Sequence, residues 1–470
     1  MTYHIITIGC QMNKSDSERL GAYLETNDYQ AVADFKLADL VIINTCGVRQ
    51  AAEDRAYGLA NQIKKFNSSC RLIITGCLSQ RQDVKRRLAK LVDLFLPIAA
   101  TPNLLKLLQK SGLVQAKVDG GRKINKNNRK NKENNNLGTK TKLLNLTELR
   151  ELSGEKYLTI ISKYENKFSA YVPIGNGCNN FCSYCVVPYA RGPEVYRPVE
   201  DILREVKALI KAGYKEIILI AQNVNSYQVS RKTKAGEPIN FAKLLRLLSL
   251  IPGKFWLRFS SSHPKDLSDE LIKVIGSSPK ICRHLHIAVQ SGDNQILRAM
   301  NRKYTVEKFS ALIKKIRAAK PGIAISTDII VGFPGETKDR FQNSVKLFKN
   351  LQFDLAYISP YSPRSGTAAY NLKDNISALE KNKRAKILNE ILKKSALAKN
   401  REYLGREVEV LVEGRNRAGD YLGRTDSYKL VSFGNKPRLA KDLIGQFVKV
   451  KIKTAKSFGL EGELVKKRSL

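Results

Sequence analysis

The chain has few of the features that mark secreted or membrane proteins. Its 470 residues hold eight cysteines, too few for a disulfide scaffold, and clustered cysteines in a reducing compartment more often bind metal or do chemistry. No apolar run approaches the roughly 18 residues of a membrane span. Residues 1–10 lack the basic and apolar regions and the cleavage site of a signal peptide. We therefore expect a cytoplasmic protein that does not associate with a membrane.

Acidic residues are also scarce. The chain holds 43 Asp and Glu against 82 Lys and Arg, which gives a formal net charge of +39. Part of the excess comes from residues 122–142, a tract rich in asparagine and lysine. A folded protein this basic is typical of those that contact phosphate groups. Nucleic acid is therefore the predicted partner class, ahead of a membrane surface.

Three cysteines stand close together near the middle of the chain. Cys178, Cys182 and Cys185 lie on a turn rich in glycine and asparagine, after a strand-like run at 170–174. Thiolates are soft ligands that suit iron–sulfur clusters or zinc. A cubane cluster normally takes four cysteines, so three would leave one iron open to a small molecule. Structural zinc needs four closed ligands, and the next histidine downstream is His263, so a cluster is favoured over zinc.

Residues 1–118 alternate between strand and helix patterns. Strands are predicted at 3–8, 38–45 and 71–75, and a helix is predicted to begin with Ser15 as its N-cap. This alternation is typical of a doubly wound parallel sheet.

Three further cysteines follow the ends of these strands. Cys10, Cys46 and Cys77 come after the first, second and third strand, each beside a glycine. Because ligands bind outside the carboxyl ends of parallel strands, we expect these side chains to converge. Buried cysteines that act as small apolar residues are the alternative. Cys70 begins its strand at the opposite edge and is interpreted as structural or incidental.

Residues 119–145 interrupt the pattern. They include the 122–142 tract, in which almost nothing is apolar, so the segment cannot bury enough surface to fold alone. We expect a disordered insertion or linker.

The alternation resumes from 164 to 395. Strands are predicted at 170–174, 216–220, 255–259, 284–289, 324–331 and 356–358. Helices are predicted between them, for example at 199–211 and 306–319. Six consecutive βα units favour a partial barrel over a full eight-stranded one. Polar residues gather after the strand ends, at 222–223, 260–262, 290–292 and 332–336, on the same rim as the three-cysteine loop.

The histidines and the remaining cysteine receive weaker interpretations. His284 and His286 should point to one side of their strand, and packing is favoured over a metal pair. His263 lies near the rim, so a substrate contact stays open, whereas His4 is expected to pack inside the first strand. Cys282 precedes its strand and should lie away from the rim.

Residues 398–466 have a different character. Short alternating strands at 407–412, 422–433 and 448–453, separated by glycines, predict a small all-β barrel of the OB type. Small basic barrels commonly bind RNA, and a structural cap is the alternative.

Several stretches resemble the radical S-adenosylmethionine methylthiotransferases. Residues 177–192 are similar to the family's signature and read Gly-Cys-Asn-Asn-Phe-Cys-Ser-Tyr-Cys-Val-Val-Pro-Tyr-Ala-Arg-Gly. Residues 9–18, 44–46 and 76–77 resemble the family's N-terminal domain. Residues 423–425 and 458–462 resemble its RNA-binding TRAM domain. The resemblance spans nearly the whole chain.

Within the family, residues 11–13 and 221–227 resemble the branch that adds a 2-methylthio group to N6-isopentenyladenosine beside the anticodon of tRNA. Sister branches act on N6-threonylcarbamoyladenosine in tRNA or on an aspartate of a ribosomal protein, and they remain alternatives. The sequence departs from the family at Ala221, where glycine is usual, and at 193–196, where the family is more basic. The Asn/Lys-rich tract is unusual too. These departures concern substrate contacts rather than the chemistry.

The resemblance implies a role for each cysteine trio. Cys178, Cys182 and Cys185 would hold a [4Fe–4S] cluster whose open iron binds S-adenosylmethionine, which one electron cleaves to a 5′-deoxyadenosyl radical. An unactivated aromatic C–H bond offers no proton that a side chain could remove, so radical chemistry is needed. The second trio would hold a second [4Fe–4S] cluster that supplies sulfur; its members are Cys10, Cys46 and Cys77. Contacts with S-adenosylmethionine are expected from Gln222, Asn223, Gln290, Ser291, Gly332 and Gly335.

The implied partners are a tRNA and an electron donor. The prenylated adenosine of the anticodon stem-loop has to leave its stack to react, and a loop base makes this less costly. The electron would come from a low-potential donor such as a flavodoxin or a ferredoxin, and we expect a monomer. Two rival hypotheses are an RNA-binding protein with structural zinc and a single-cluster radical enzyme whose N-terminal cysteines are inert.

Overall fold

The computed structural model of the protein describes residues 1–48, 50–113, 154–230, 238–434 and 442–465. The expected insertion at 119–145 lies outside the described residues. By its internal contacts the chain divides into two units. Unit 1 is Met1–Lys163 with Tyr189–Arg191, and unit 2 is Tyr164–Pro188 with Gly192–Leu470.

Unit 1 is built on a parallel sheet. Its described strands are β1 (Thr2–Thr7), β2 (Gln30–Ala31), β3 (Leu40–Thr45), β4 (Arg71–Gly76) and β5 (Leu94–Leu96). They lie in the order β2-β1-β3-β4-β5, and each pairing is parallel. The helices are α1 (Gln11–Thr26), α2 (Gln50–Phe66), α3 (Gln82–Leu88), α4 (Leu104–Lys110) and α5 (Gly154–Leu158), with 3-10 turns at Phe35–Leu37 and Ile98–Asn103. The predicted doubly wound sheet is confirmed.

The strands of unit 1 are apolar because both faces of the sheet are covered. All six residues of β3 are buried. Val41 and Ile43 pack in one apolar cluster, whereas Leu40 and Ile42 pack in a second. Alternate residues of one strand therefore serve two cores, as expected for a parallel sheet. Cys70 comes just before β4 and packs in the first cluster.

The start of α1 differs from the prediction. The sequence indicated Ser15 as the N-cap, but the helix begins at Gln11 and Cys10 is the N-cap residue. Ser15 lies inside the helix and is fully buried. The Oδ1 of Asn13 accepts the backbone N–H of Cys10 at 3.3 Å, which is one half of a capping box. The prediction was wrong because cysteine is not among the residues usually found at this position.

Unit 2 contains the partial barrel. Its described strands up to residue 360 are β6 (Ser169–Pro173), β7 (Gly175–Asn176), β8 (Val195–Tyr196), β9 (Glu216–Ile220), β10 (Gln228–Ser230), β11 (Pro238–Asn240), β12 (Trp256–Phe259), β13 (His284–His286), β14 (Ala324–Val331) and β15 (Leu355–Pro360). Parallel pairing joins β6, β9 and β12 in one group and β13, β14 and β15 in another. A parallel bridge from Leu257 to Ile281 connects the groups. The predicted partial barrel of six βα units is confirmed.

Helices follow the strands of unit 2 on the outside of this barrel. They are α6 (Val187–Arg191, shared with unit 1), α7 (Val199–Lys211), α8 (Phe241–Ser249), α9 (Asp269–Ser277), α10 (Asn294–Ala299), α11 (Val306–Ala319), α12 (Lys338–Leu351) and α13 (Ala378–Arg401). Single 3-10 turns occur at Val224–Ser226, Pro264–Asp266 and Ala368–Asn371. The predicted helices 199–211 and 306–319 match α7 and α11 at both ends.

One strand is shorter than the sequence indicated. The run at 284–289 was predicted as a strand, whereas β13 ends at His286. Beyond it, isolated bridges pair Ile287 with Ser262 and Gln290 with Ile329. Gln290 has a φ of +68°, a left-handed value that a regular strand cannot accommodate. The pairing therefore continues irregularly to the rim.

Residues from 407 onwards form a closed β barrel. Its strands are β16 (Glu407–Arg415), β17 (Tyr421–Thr425), β18 (Leu430–Phe433), β19 (Phe447–Lys456) and β20 (Gly459–Leu464), in the order β16-β17-β18-β20-β19. The predicted small all-β barrel is confirmed, with two corrections. The run 422–433 is two strands, since Tyr428 has a φ of +65° in the turn between them. Strand β20 was missed because glycines and glutamates at 459–463 weaken its apolar pattern.

The small barrel docks where strands of the partial barrel begin. Arg258 Nε lies 2.5 Å from Glu216 Oε1, and its Nη atoms donate to the carbonyl oxygens of Asp426 and Thr425 at 2.8 and 2.7 Å. The ring of His284 stacks on Tyr428 with centroids 4.7 Å apart. These contacts hold the small barrel at the amino ends of the strands of the partial barrel, opposite to the rim formed by their carboxyl ends.

Cys282 lies in this docking region. It packs with Trp256 and Leu411, and burial raises the pKa of its thiol to about 12. Its position away from the rim is the one predicted.

Among the helices of the described residues, none combines the length and the apolar character that crossing a membrane requires.

Candidate metal centres

The three-cysteine loop of unit 2 is held in place by its glycine and by a side chain from the next strand end. It lies between β7 and α6, and β7 pairs antiparallel with β8. Gly177 has a φ of +87°, and a side chain there would collide with the Pro193 carbonyl. Its N–H donates to Gln222 Oε1 at 2.6 Å. Gln222, predicted as a cofactor contact, therefore supports the loop backbone in this structure.

The thiols of this loop are partly exposed and have polar neighbours. Asn180 Nδ2 donates to Cys178 Sγ at 3.4 Å, and Arg302 Nη1 donates to Cys182 Sγ at 3.4 Å. The N–H of Cys185 donates to the Cys182 carbonyl at 2.9 Å. Donors and a cation beside sulfur stabilise thiolates and tune bound clusters. Arg302 was not predicted, because it lies 117 residues after Cys185 in the sequence.

Asn223 is placed at the rim as predicted. It is buried, and its Nδ2 donates to Asp266 Oδ2 at 2.7 Å. Gln290 and Ser291 follow β13, and Gln290 adopts the left-handed backbone noted above. Ser291 is fully buried, and its Oγ accepts the N–H of Asp293 at 3.2 Å.

The turn after β14 is held by an ion pair. The N–H of Gly332 donates to Glu336 Oε2 at 2.6 Å, and that oxygen lies 2.8 Å from Arg384 Nη1. The carbonyl of Gly335 accepts from Arg340 Nη1 at 2.6 Å. Gly332 and Gly335 therefore form a fixed wall of the rim.

Buried polar atoms without a partner mark the same rim. Asn223 Oδ1, Ser262 Oγ and Glu336 Oε1 have no hydrogen-bond partner among the described residues. They follow β9, β12 and β14, on the rim that also carries the loop of Cys178. Because buried polar groups are normally satisfied, these atoms fit a polar ligand that completes them. S-adenosylmethionine, with its amino, carboxylate and ribose groups, has that chemistry.

His263 belongs to the wall of the rim. It is 7 % exposed, its Nδ1 accepts the N–H of Lys265 at 3.2 Å, and its ring meets Tyr304 edge-on at 5.7 Å. Burial, together with the charges of Arg302 and Lys265, lowers the pKa of His263 to about 2. It is therefore neutral at physiological pH.

The other two histidines lie side by side. Ring nitrogens of both His284 and His286 lie within 3.0 Å of Ser326 Oγ, so the two side chains share one side of β13, as predicted.

The second cysteine trio lies at neighbouring strand ends of the sheet in unit 1. Cys10, Cys46 and Cys77 follow the carboxyl ends of β1, β3 and β4, which are neighbours in the sheet. Neighbouring strands lie about 4.8 Å apart, so their end loops come together. The N–H of Cys77 donates to the Thr45 carbonyl at 2.8 Å, and Val48 N–H donates to Cys46 Sγ at 3.5 Å.

Asn13 connects two of the loops that carry this trio. Its Oδ1 accepts the N–H and the thiol of Cys10, both at 3.3 Å. Its Nδ2 donates to Asn44 Oδ1 at 2.9 Å and to the Thr45 carbonyl at 3.1 Å, directly before Cys46. Asn13 is fully buried. It fixes the spacing of Cys10 and Cys46, a role that the sequence did not reveal.

A buried ion pair lies beside the same trio. Arg191 Nη2 is 2.5 Å from Asp16 Oδ2, and the hydroxyl of Tyr157 donates to Asp16 Oδ1. Burial alone lowers the pKa of Arg191, but Asp16 and the thiols of Cys77 and Cys10 raise it well above its ordinary value. A permanent cation therefore faces these thiols. The pair was not predicted because its members are 175 residues apart.

None of the eight cysteines, all of which lie in the described residues, is assigned to a disulfide. Within the described residues, no group of three or more His, Cys, Asp or Glu side chains is arranged around a single metal ion. A cubane cluster makes a different demand, because each thiolate binds its own iron atom. Both trios offer three soft ligands and adjacent N–H donors, and so they fit such a cluster.

Three family models match the chain. They are the radical SAM superfamily at residues 172–348, the uncharacterized protein family UPF0004 at 2–96 and the TRAM domain at 401–465. The solved structure of the radical S-adenosylmethionine methyltransferase TsrM from Kitasatospora setae has a similar fold, with a TM-score of 0.54 at 13 % identity. The likeness covers 78 % of this chain and 74 % of that one.

Curated relatives match over almost their whole length. A tRNA-2-methylthio-N(6)-dimethylallyladenosine synthase of Carboxydothermus hydrogenoformans is 39 % identical, with 99 % of both chains covered. The synthase of the same name from Clostridium novyi is 40 % identical over 98 % of this chain and 96 % of its own. At this identity and coverage, the chain belongs to the radical SAM family of tRNA-2-methylthio-N(6)-dimethylallyladenosine synthases.

Proposed function

We propose that this chain adds a methylthio group to C2 of N6-isopentenyladenosine beside the anticodon of tRNA, with S-adenosylmethionine and two [4Fe–4S] clusters. The observation that carries the proposal is the presence of two separate cysteine trios, each at the carboxyl ends of parallel strands. An enzyme that only generated a radical from S-adenosylmethionine would need a single cysteine trio. The second trio, with its own donors and cation, supports a separate place for the sulfur.

The residues of unit 2 have distinct roles at the radical site. Cys178, Cys182 and Cys185 hold the first cluster, while Asn180 and Arg302 donate to two of the sulfur atoms. Asn223, Ser262 and Glu336 offer their unpartnered oxygens to S-adenosylmethionine. Gln222 keeps the loop in shape through Gly177, and Gln290, Ser291, Gly332 and Gly335 form the surrounding wall.

The residues of unit 1 hold the sulfur-supplying site. Cys10, Cys46 and Cys77 bind the second cluster, Asn13 sets the spacing of two of them, and Arg191 offsets negative charge on the thiolates. Bound at these places, the two clusters supply the electron that cleaves S-adenosylmethionine and the sulfur that is transferred, chemistry that no side chain provides. The other residues named here hold the clusters and S-adenosylmethionine in position.

The proposal extends to domain limits and partners. Residues 1–118 carry the sulfur site, 164–395 the radical site and 398–466 the barrel that binds RNA, a use supported by the net charge of +39. Reduction needs a low-potential donor of the flavodoxin or ferredoxin kind. Each trio is completed within one chain, which supports a monomer, and a tRNA substrate supports a cytoplasmic location.

The deciding experiment is mass spectrometry of tRNA nucleosides from a strain that lacks the gene. We expect isopentenyladenosine to accumulate without its methylthio form, and the wild-type gene to restore the product. A matched gene with Cys46→Ala should fail to restore it. Accumulation of threonylcarbamoyladenosine instead would move the protein to a sister branch.

Metal analysis separates the proposal from its rivals. The anaerobically reconstituted protein should hold about eight irons per chain, two cubanes' worth. Zinc without iron or sulfide would identify an RNA-binding protein with structural zinc. Four irons together with an active Cys46→Ala protein would identify a single-cluster enzyme.

A further inference from the structure

A half-open cavity of 270 Å³ lies in unit 2 between the segment that follows β12 and the first half of α11. Three lysines line it, Lys265, Lys303 and Lys308. Its apolar side is formed mainly by Tyr304, Phe309 and Leu312. Lys265 and Tyr304 also contact His263 in the wall of the rim, whereas Lys303 and Lys308 take no part in the sites described above.

The lysines are poorly neutralised. Lys265 Nζ lies 4.0 Å from Asp266 Oδ1, a loose pair whose carboxylate also bonds Asn223. Lys303 and Lys308 form no ion pair with any residue that the structure describes. Glu307, the nearest acidic residue in sequence, is bonded to the side chain of Asn294 instead, at 3.1 and 3.2 Å. The cavity therefore has an excess of positive charge.

The backbone adds to this charge. Helix α11 has 14 residues and begins at Val306, and the Oγ1 of its N-cap Thr305 accepts the N–H of Lys308 at 3.3 Å. Lys308 and Phe309 of its first turn line the cavity, so the positive end of the helix dipole lies beside it.

The cavity adjoins the cluster loop. Arg302, directly before Lys303, donates to Cys182 Sγ at 3.4 Å and to the Ala288 carbonyl at 2.7 Å. The backbone of this segment is thus fixed with one residue facing the cysteine loop and the next at the cavity. A polyanion whose reacting group enters the rim has to bring its neighbouring charges to this place.

We propose that this cavity binds a phosphate of the RNA backbone that flanks the modified nucleoside. Lysine ammonium groups act as point charges for phosphate, and the helix N-terminus supplies further attraction. The identity of the polyanion as RNA rests on the proposed function. A free nucleotide would present the same phosphate chemistry, and the test below separates the two.

The test compares two double variants with equal loss of charge. Lys303→Gln with Lys308→Gln removes two charges of the cavity. Lys346→Gln with Lys349→Gln removes two exposed charges from α12 and serves as the control. Binding of an anticodon stem-loop RNA is measured for wild type and both variants over a range of salt concentrations.

The cavity variant should bind the RNA about tenfold more weakly, the scale of one charge-assisted hydrogen bond. Its dependence of log Kd on log salt should be shallower by about 0.7 to 1 for each phosphate that the variant no longer neutralises. KM for RNA should rise while kcat stays unchanged. Reductive cleavage of S-adenosylmethionine without RNA should match wild type, which shows an intact core.

Equal affinity and an equal salt slope in both variants would overturn the proposal. Equilibrium dialysis with ADP and no RNA gives the second arm. Tight ADP binding that disappears in the cavity variant, with the RNA slope unchanged, would assign the cavity to a free nucleotide. Failure of the proposed function would show separately, in the iron count and the nucleoside analysis, because neither depends on these lysines.

Discussion

Arg191 and Asp16 form an ion pair 2.5 Å long that is almost closed to solvent, with 2 % and 0 % of the side chains exposed. The hydroxyl of Tyr157 occupies the other oxygen of Asp16. Removing one partner of such a pair leaves an uncompensated buried charge, which usually costs about 3–5 kcal/mol. The pair thus supports the edge of unit 1 that carries Cys10 and Cys77.

Arg191→Met should therefore lower the unfolding midpoint of unit 1 strongly. The denaturant midpoint of iron-free protein is the measurement. Lys163→Met is the control, because Lys163 forms an exposed pair with Glu25, a kind worth below about 1 kcal/mol. Adding Asp16→Asn to Arg191→Met should recover part of the loss. Equal effects of Arg191→Met and Lys163→Met would contradict this.

Cys46→Ala should reduce the iron content from about eight to about four per chain, since one cubane loses a ligand. Product formation should stop, whereas cleavage of S-adenosylmethionine should continue. Cys70→Ala is the control, because Cys70 packs in a core cluster before β4 and should leave the iron content unchanged. Iron, sulfide and 5′-deoxyadenosine are measured together. A Cys46→Ala protein that keeps eight irons would disprove the assignment.

Arg302→Met should make the radical-site cluster harder to reduce. The variant removes a cation that donates to Cys182 Sγ, and positive charge or hydrogen bonds near sulfur favour the reduced cluster. Potentiometry monitored by electron paramagnetic resonance, in a Cys46→Ala background with one cluster, should show a more negative potential. Arg302→Lys should lie nearer to wild type because it keeps the charge. An unchanged potential in Arg302→Met would exclude this tuning.

Acid should destabilise the protein through His263. The folded protein binds a proton there only near a pKa of about 2, whereas the unfolded chain binds it near 6.5. Between these values the unfolded state holds more protons, so the free energy of unfolding falls by up to about 1.4 kcal/mol per pH unit for this group as the pH decreases. Urea midpoints of iron-free protein at pH 7.5 and pH 5 should differ less in His263→Gln than in wild type. An identical pH dependence in both proteins would refute the assignment.

Arg258→Met should loosen the small barrel. Glu216 would remain buried without its partner, and the carbonyls of Thr425 and Asp426 would no longer have their donors. Limited proteolysis between residues 398 and 407 should become faster. Lys254→Met is the control, because Lys254 joins Glu409 at the same junction through an exposed pair. The assignment fails if both variants are cut at the wild-type rate.

The apolar runs determine most of the fold. The run that forms β3 is buried on both faces, and only a parallel sheet accommodates such a strand. The positions of Cys10, Cys46 and Cys77 at neighbouring strand ends could be predicted as well, because each follows an apolar run. Helix α1 shows where local patterns fail, since Ser15 has the chemistry of a cap but Cys10 and Asn13 form it.

Contacts between residues that are distant in the sequence could not be predicted from it. Arg302 meets Cys182 across 120 positions, and nothing local in its segment distinguishes it from other arginines. The same holds for Arg258, whose partners lie in the small barrel. Strand β20 was missed for another reason, because its glycines hide the alternation that the barrel nevertheless uses.

The docking of the small barrel has a consequence for the length of RNA that can react. Glu216, Trp256 and His284 are the first residues of their strands, so the barrel sits at one end of these strands and the cysteine loop at the other. A five-residue strand spans about 17 Å. If the small barrel binds the RNA as proposed, the RNA has to extend at least that far along unit 2 before a base can reach the cysteine loop. The distance between the bound part of the RNA and the reacting base would then select the nucleoside.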